Sequence, residues 1–155
     1  MDGPTPAPPR TVLFVCVHNA ARSLMAEAIF NARAPAGWVA SSAGTDPAAA
    51  PDPRTGPMLA EIGLPLPSHP PRALTLTAME EARVRVTMGC LDEASCPARL
   101  KELELRDWAL PDPTKLDDAG FRQVRQAIVE RVDRLRLELT LTDRRLGRRP
   151  AGEAP

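Results

Sequence analysis

The chain has 155 residues, with 20 basic against 20 acidic side chains and a formal net charge of zero. That length suits one domain able to bury about two-thirds of the surface its unfolded chain exposes, and balanced, dispersed charge gives no extended nucleic-acid footprint. Three cysteines are too few for a disulfide framework and lack the Cys-x2-Cys pairs of a zinc site, so cysteine here points to chemistry.

Residues 1–10 read as a flexible N-terminal tail: they hold four prolines and no apolar run, which fits neither a signal peptide nor a membrane span. A cytoplasmic protein is expected. Residues 12–17 form a short, β-branched apolar run, the pattern of a buried parallel strand, and Leu24 to Phe30 read as helix. Trp38 to Ser42 is a second strand. Asp52 and Pro53 open a helix through Met58, Leu59 and Ile62, which Gly63 stops. Pro65 to Pro71 is a loop, Thr77 to Ala82 a short helix, Val84 to Met88 a third strand and Leu105 to Leu110 a fourth. Asp117 and Asp118 start a long amphipathic helix with Phe121, Val124, Ile128, Leu135 and Leu139 at helical spacing. Residues 11–146 are expected to be one α/β domain, and 147–155 a flexible C-terminal tail. The cluster Arg144, Arg145, Arg148 and Arg149 reads as a solvated end. Strands alternating with crossover helices imply a small, mostly parallel sheet with helices on its faces.

Cys16 stands where the first strand gives way to the first helix, six positions before Arg22 and seven before Ser23. A bare Cys-x5-Arg match carries little by itself; the strand-to-helix setting carries it. Such a loop, formed by Val17, His18, Asn19, Ala20 and Ala21, can turn backbone N–H groups inward, and the helix N-terminus adds its own N–H groups and positive dipole end, so an anion of phosphate shape is favoured. Arg22 adds a planar charged fork for two oxygens. The same positive field favours the thiolate of Cys16, its reactive form. Ser23 can donate its hydroxyl to that sulfur, and Asn19 suits a left-handed position in the tight turn.

In a parallel sheet the loops after the strands emerge at one edge. Cys16 ends the first strand, Cys90 follows the third and Asp112 the fourth, so all three are expected around one anion site. Asp112 lies in Leu-Pro-Asp-Pro-Thr, where prolines rigidify the loop. It reads either as a proton donor to a leaving oxygen or as a turn-forming Asp. Cys90 and Cys96 read either as a thiol pair on a rearranging loop or as buried cysteines. In regular helix their Cα atoms would be about 9 Å apart, too far for a disulfide, but Pro97 disfavours helix at Cys96.

Several motifs together resemble the thioredoxin-coupled arsenate reductases of the low-molecular-weight tyrosine phosphatase superfamily. They are Val12 to Glu27 with its Cys-x5-Arg-Ser, then Ser42-Ala43-Gly44-Thr45, Val86-Thr87-Met88-Gly89-Cys90, Asp107-Trp108 and Pro111-Asp112-Pro113. The match spans roughly residues 10 to 138, and residues after about 140 read as a frayed end. The resemblance implies a four-stranded parallel sheet flanked by helices on both faces and reduction of arsenate to arsenite. By that analogy Cys16 attacks arsenate held by the loop and Arg22, while Asp112 protonates the departing oxygen. Cys90 then attacks Cys16 and releases arsenite; Cys96 displaces Cys16, and thioredoxin reduces the Cys90–Cys96 disulfide. Phosphate and sulfate are expected competitors, and no bound organic cofactor is implied. Some relatives hold potassium through positions matching Asn19, Glu27, Ser42 and an aspartate. Here the last aligns with Arg72, whose guanidinium can pair with Glu27 in place of the ion, so no metal is expected. His18 and His69 receive no catalytic role, as loop and surface histidines.

Two other readings use the same residues differently. A tyrosine phosphatase would need Cys16, Arg22 and Asp112 with a phosphocysteine intermediate, but not Cys90 or Cys96. Against it, the chain has no Tyr and Phe14, Phe30 and Phe121 fall on expected core faces. A non-enzymatic thiol protein binding arsenite or sensing oxidation would keep the thiols without needing Arg22 or Asp112.

Overall fold

The computed structural model describes residues 7–89 and 104–147. Its centre is strand β1 (Arg10–Cys16), which a run of branched apolar residues commits to the interior: Val12 through Cys16 are all buried. Side chains alternate across a strand, and here the two sets enter separate cores. Val12, Phe14 and Cys16 join a cluster with Met25, Ile29, Phe30, Phe121 and Ile128, while Leu13 and Val15 pack with Ala43, Met79 and Ala82.

Strand β2 (Trp38–Gly44) pairs with one edge of β1, Arg10 opposite Trp38 and Cys16 opposite Gly44, and β3 (Val84–Thr87) pairs with the other. Strand β4 (Arg106–Asp107) adds to β3. All pairings are parallel, in the order β2-β1-β3-β4. Helices α1 (Arg22–Ala32), α2 (Thr55–Ala60) and α4 (Asp118–Arg145) contribute to the larger core, and α3 (Leu76–Glu81) covers the other face. The single-domain, four-stranded parallel α/β fold is the expected one.

The long helix α4 starts as its sequence dictates: Asp117 is the N-cap and accepts from Gly120 N at 2.8 Å. Its buried stripe, Phe121, Val124, Ile128, Val132, Leu135 and Leu139, keeps steps of three or four residues.

Several expectations need correction. Helix α2 begins at Thr55 rather than Asp52, because Asp52 forms a turn instead: its carboxylate accepts from Arg54 N and its carbonyl from Thr55 N. The same helix ends at Ala60, and Gly63 at φ +78° closes it with bonds from Gly63 N to Ala60 O and Leu64 N to Leu59 O. The fourth strand covers two residues rather than Leu105 to Leu110. At the chain ends, Arg10 belongs to β1 rather than to a tail, and α4 runs to Arg145, past the frayed end expected after residue 140. These two ends stabilise each other. Arg10 grips Asp143 with both guanidinium nitrogens at 2.6 and 2.8 Å and stacks 4.3 Å over Trp38, whose Nε1 also donates to Asp143. Among the described residues no helix is long and apolar enough to cross a membrane.

Candidate active site

Residues 17–21 wrap the C-terminal end of β1 and lead directly into α1, whose N-cap, Ala21, offers no side-chain cap. The segment after β2 accounts for the loop's shape. Thr45 N, Asp46 N and Ala48 N donate to the carbonyls of Cys16, Val17 and His18 at 3.1, 2.8 and 3.0 Å, and Asp52 N and Thr55 Oγ1 both donate to Ala20 O. In a trans peptide the N–H points opposite its carbonyl. Drawing these four carbonyls outward therefore turns the N–H groups of Val17, His18, Asn19 and Ala21 the other way, into an anion-binding nest at the start of α1. Asn19 takes φ +49° to make the bend, the left-handed position expected of it. Gly44 is required for the close approach of β2: a Cβ there would stand 2.6 Å from Val17 O and 2.9 Å from Asn19 N.

Beneath the loop runs a buried chain of polar side chains. Glu27 Oε1 accepts from Ser42 Oγ at 2.9 Å, so the Ser42 oxygen accepts from Asn19 Nδ2 at 3.0 Å. Asn19 cannot be turned over, because its Oδ1 accepts from Arg72 N. Its Nδ2 also donates to Ser23 Oγ at 2.7 Å, and that hydroxyl lies 2.8 Å from Cys16 Sγ. Asn19, Ser23 and Ser42 are almost completely buried, where such networks hold a single arrangement. The Ser23 hydroxyl thus stands within hydrogen-bond reach of the sulfur.

Cys16, a buried free thiol, lines a cavity of about 30 Å³ with His18, Ala20, Ala21, Arg22, Asp112 and Thr114. That volume holds roughly two water molecules, the scale of a small oxyanion. Arg22 Nη1 is committed elsewhere: it donates to Met88 O at 2.8 Å and Leu110 O at 3.0 Å. Arg22 thus ties the loops after β3 and β4 to the cavity. Asp112 Oδ1 accepts from Thr114 N at 3.0 Å and Thr114 Oγ1 at 2.7 Å. Burial pushes the Asp112 carboxyl up, but the Thr114 bonds, with the Arg22 and Lys115 charges, outweigh it and hold the carboxyl below the usual aspartate range.

Thus Cys16, Arg22 and Asp112 converge, with His18, Ala20 and Ala21 beside them, while Val17, Asn19 and Ser23 shape the loop. Gly89 leaves β3 at φ +72° with its N–H on Asp107 Oδ1; Cys90 and Cys96 lie outside the described residues. Thr114 was not singled out from the sequence, although Asp-x-Thr is a local hydrogen-bonding pattern that signals such a turn.

Glu27 is more heavily engaged than the sequence suggests. Arg72 Nη2 stands 3.7 Å from Glu27 Oε1, and Arg72 Nε donates to Ser42 O. His69, read as a surface histidine, instead places Nε2 2.9 Å from both Glu27 oxygens, with Nδ1 2.7 Å from Pro70 O. Both ring nitrogens face oxygen atoms, so His69 bridges Glu27 and the Pro70 carbonyl. No spacing signal marked His69, which reaches Glu27 across 42 residues of sequence.

The family of low molecular weight phosphotyrosine protein phosphatases matches residues 11–145. A Halobacterium salinarum protein assigned as an arsenate reductase is 30% identical over 124 residues, 77% of this chain and 85% of that protein. The arsenate reductase structure from Archaeoglobus fulgidus is 37% identical with a TM-score of 0.66, covering 80% of this chain and 97% of that one. A thioredoxin-dependent arsenate reductase from Corynebacterium glutamicum superposes with a TM-score of 0.74 at 30% identity over 89% of this chain, which spans 65% of that longer one. With its thiol, arginine and carboxylate gathered on one nest at the end of a central parallel strand, the chain belongs to the low molecular weight phosphotyrosine protein phosphatase family.

Proposed function

We propose that this chain is a cytoplasmic arsenate reductase that uses a three-cysteine relay and thioredoxin as electron donor. The observation that carries the reading is the oxyanion-sized cavity with Cys16 and Asp112 on its walls, in a chain 30% identical to a thioredoxin-dependent arsenate reductase. The Cys16 thiolate attacks arsenic(V) bound in the nest and against Arg22, and a hydroxyl leaves as water. Asp112 is held ionised, so the proton for that oxygen arrives with the substrate, passes to Asp112 and returns to the leaving group. Cys90 attacks Cys16 Sγ; the sulfur–arsenic electron pair leaves with arsenic(III), and a Cys16–Cys90 disulfide remains. Cys96 attacks Cys90, freeing Cys16, and a thioredoxin dithiol supplies two electrons to the Cys90–Cys96 disulfide. At the other end of the polar chain, Arg72 supplies positive charge to Glu27 where potassium would otherwise sit, and His69 covers the same carboxylate. Equal turnover in sodium and potassium chloride checks that assignment; strong activation by potassium would overturn it.

The family itself favours a second reading, hydrolysis of a phosphate ester through phosphocysteine at Cys16. Arsenate-dependent NADPH oxidation with thioredoxin and thioredoxin reductase separates the readings. The reductase sustains many turnovers and loses them in Cys90→Ser. A phosphatase shows none, yet hydrolyses an aryl phosphate with or without Cys90, and a thiol binder does neither.

A further inference from the structure

The loop that carries Asp112 has little regular structure to hold it. It follows a two-residue strand, β4, and runs through a single 3-10 turn, Pro113–Lys115, before α4 begins. Three of its carbonyls, those of Pro113, Thr114 and Leu116, nevertheless accept from one side chain, and Pro113 O accepts from Leu116 N as well. Arg54 Nη1 donates to Leu116 O at 2.9 Å and Nη2 to Pro113 O and Thr114 O, each at 3.2 Å. Its Nη1 also reaches Asp118 Oδ1 at 3.2 Å, and the guanidinium lies 4.8 Å over the ring of buried Phe121. A planar fork with five donors is the side chain able to meet several carbonyls at fixed angles.

The other end of Arg54 is anchored to the nucleophile's loop. Its backbone N donates to Asp52 Oδ1 at 2.9 Å, and the residues on either side of that turn, Asp52 through its N–H and fully buried Thr55 through its hydroxyl, both donate to Ala20 O. A continuous line of bonds therefore runs from the oxyanion loop at Ala20, through residues 52–55 and the Arg54 guanidinium, to Thr114, whose N–H and hydroxyl hold the Asp112 carboxylate.

We propose that Arg54 is a positioning residue that sets the distance and angle between Asp112 and the anion over Cys16. It touches no substrate and acts through the Pro113–Leu116 backbone. Its effect falls on proton transfer to the leaving oxygen rather than on oxyanion binding, because the bonds that hold the nest come from Thr45, Asp46, Ala48, Asp52 and Thr55 and none from the Arg54 guanidinium. The inference rests on the reading of Asp112 as the proton donor.

The test compares Arg54→Gln, Asp112→Asn and the double variant in arsenate turnover with thioredoxin and its reductase. Arg54 is about one-third exposed, so the single variant is expected to fold; Arg54→Lys provides a milder second variant. Arg54→Gln should lower kcat by about 10- to 100-fold with KM changed less than about twofold, and Arg54→Lys should fall between. In the double variant kcat should equal that of Asp112→Asn alone, since a misplaced acid and a missing one are the same loss. A wild-type kcat in Arg54→Gln, or losses that multiply in the double variant, overturns the role of Arg54. If Asp112→Asn alone leaves kcat intact, the Asp112 reading fails first and the positioning role falls with it. A second measurement needs no turnover: the carboxyl carbon of Asp112, followed by NMR against pH, should titrate nearer an ordinary aspartate in Arg54→Gln, because the Thr114 bonds are no longer held. An unchanged titration overturns the proposal even if the protein reduces no arsenate.

Discussion

The two halves of the site are built on opposite terms. The nucleophile's half, residues 16 to 27, is contiguous in sequence and almost wholly buried, and a chain of hydrogen bonds joins its Glu27 to its Cys16 by way of Ser42 on β2. The acid's half sits on a short loop after a two-residue strand, partly exposed, held in place by two arginines from elsewhere, Arg22 on Leu110 O and Arg54 on the carbonyls beyond Asp112. Nucleophile and nest are thus integral to the core, where any misfit costs folding. The acid is attached to that core from outside, where a misfit costs rate. The difference also matches the chemistry proposed for each part: a sulfur that must stay a thiolate needs a fixed dipolar surrounding, whereas a proton carrier needs its carboxyl in place only as the oxygen departs.

The sharpest way to test that contrast is to remove the acid. Asp112→Asn should lower kcat for arsenate by about 100-fold or more, while phosphate still competes with unchanged affinity. Asp112 also makes a signed prediction about stability. Its folded carboxyl lies below the usual aspartate range, so its contribution is present above the unfolded value of about 3.9 and is lost as pH falls through the lower folded value. Denaturation midpoints measured downward through that window should fall more in the wild type than in Asp112→Asn; equal slopes would contradict the Thr114 clamp.

Asn19→Ala attacks the other half and should invert the pattern. It strands Ser23, Ser42 and Arg72 N without their partner and puts an alanine at φ +49°, a loss of about 3 kcal/mol readable by chemical denaturation. Competing phosphate should then bind weakly as well. A stable Asn19→Ala protein with intact phosphate affinity would show that the nest does not depend on the buried chain.

The smallest effect is expected far from both halves. Asp143→Ala removes the acceptor shared by Arg10 and Trp38 and should cost about 2 kcal/mol of stability, with kcat and KM unchanged. Any change in kcat would mean that the end of α4 communicates with the site.

The sequence alone determined the part of this protein whose physics is local. A run of β-branched residues ending in Cys-x5-Arg-Ser specifies strand, nest and helix within two turns of chain, and Asn19, Ser23 and Gly63 take the local roles their side chains or lack of one prescribe. The capping Asp117 and the stripe of α4 were legible for the same reason. Tertiary structure decided whatever depends on two distant segments meeting. Asp52 closes a turn ahead of α2, and its N–H ties that turn to Ala20 O on the nucleophile's loop. His69 is half-buried, its ring set against the Glu27 carboxylate from a distant loop. Arg10 and Asp143, 133 positions apart, converted two expected tails into one closed edge of the domain. Arg54 gained its place over the acid loop only when α2 and α4 packed around Phe121. None of these has a period or a motif, because a side chain's partner across the core leaves its mark in three dimensions and not along the chain.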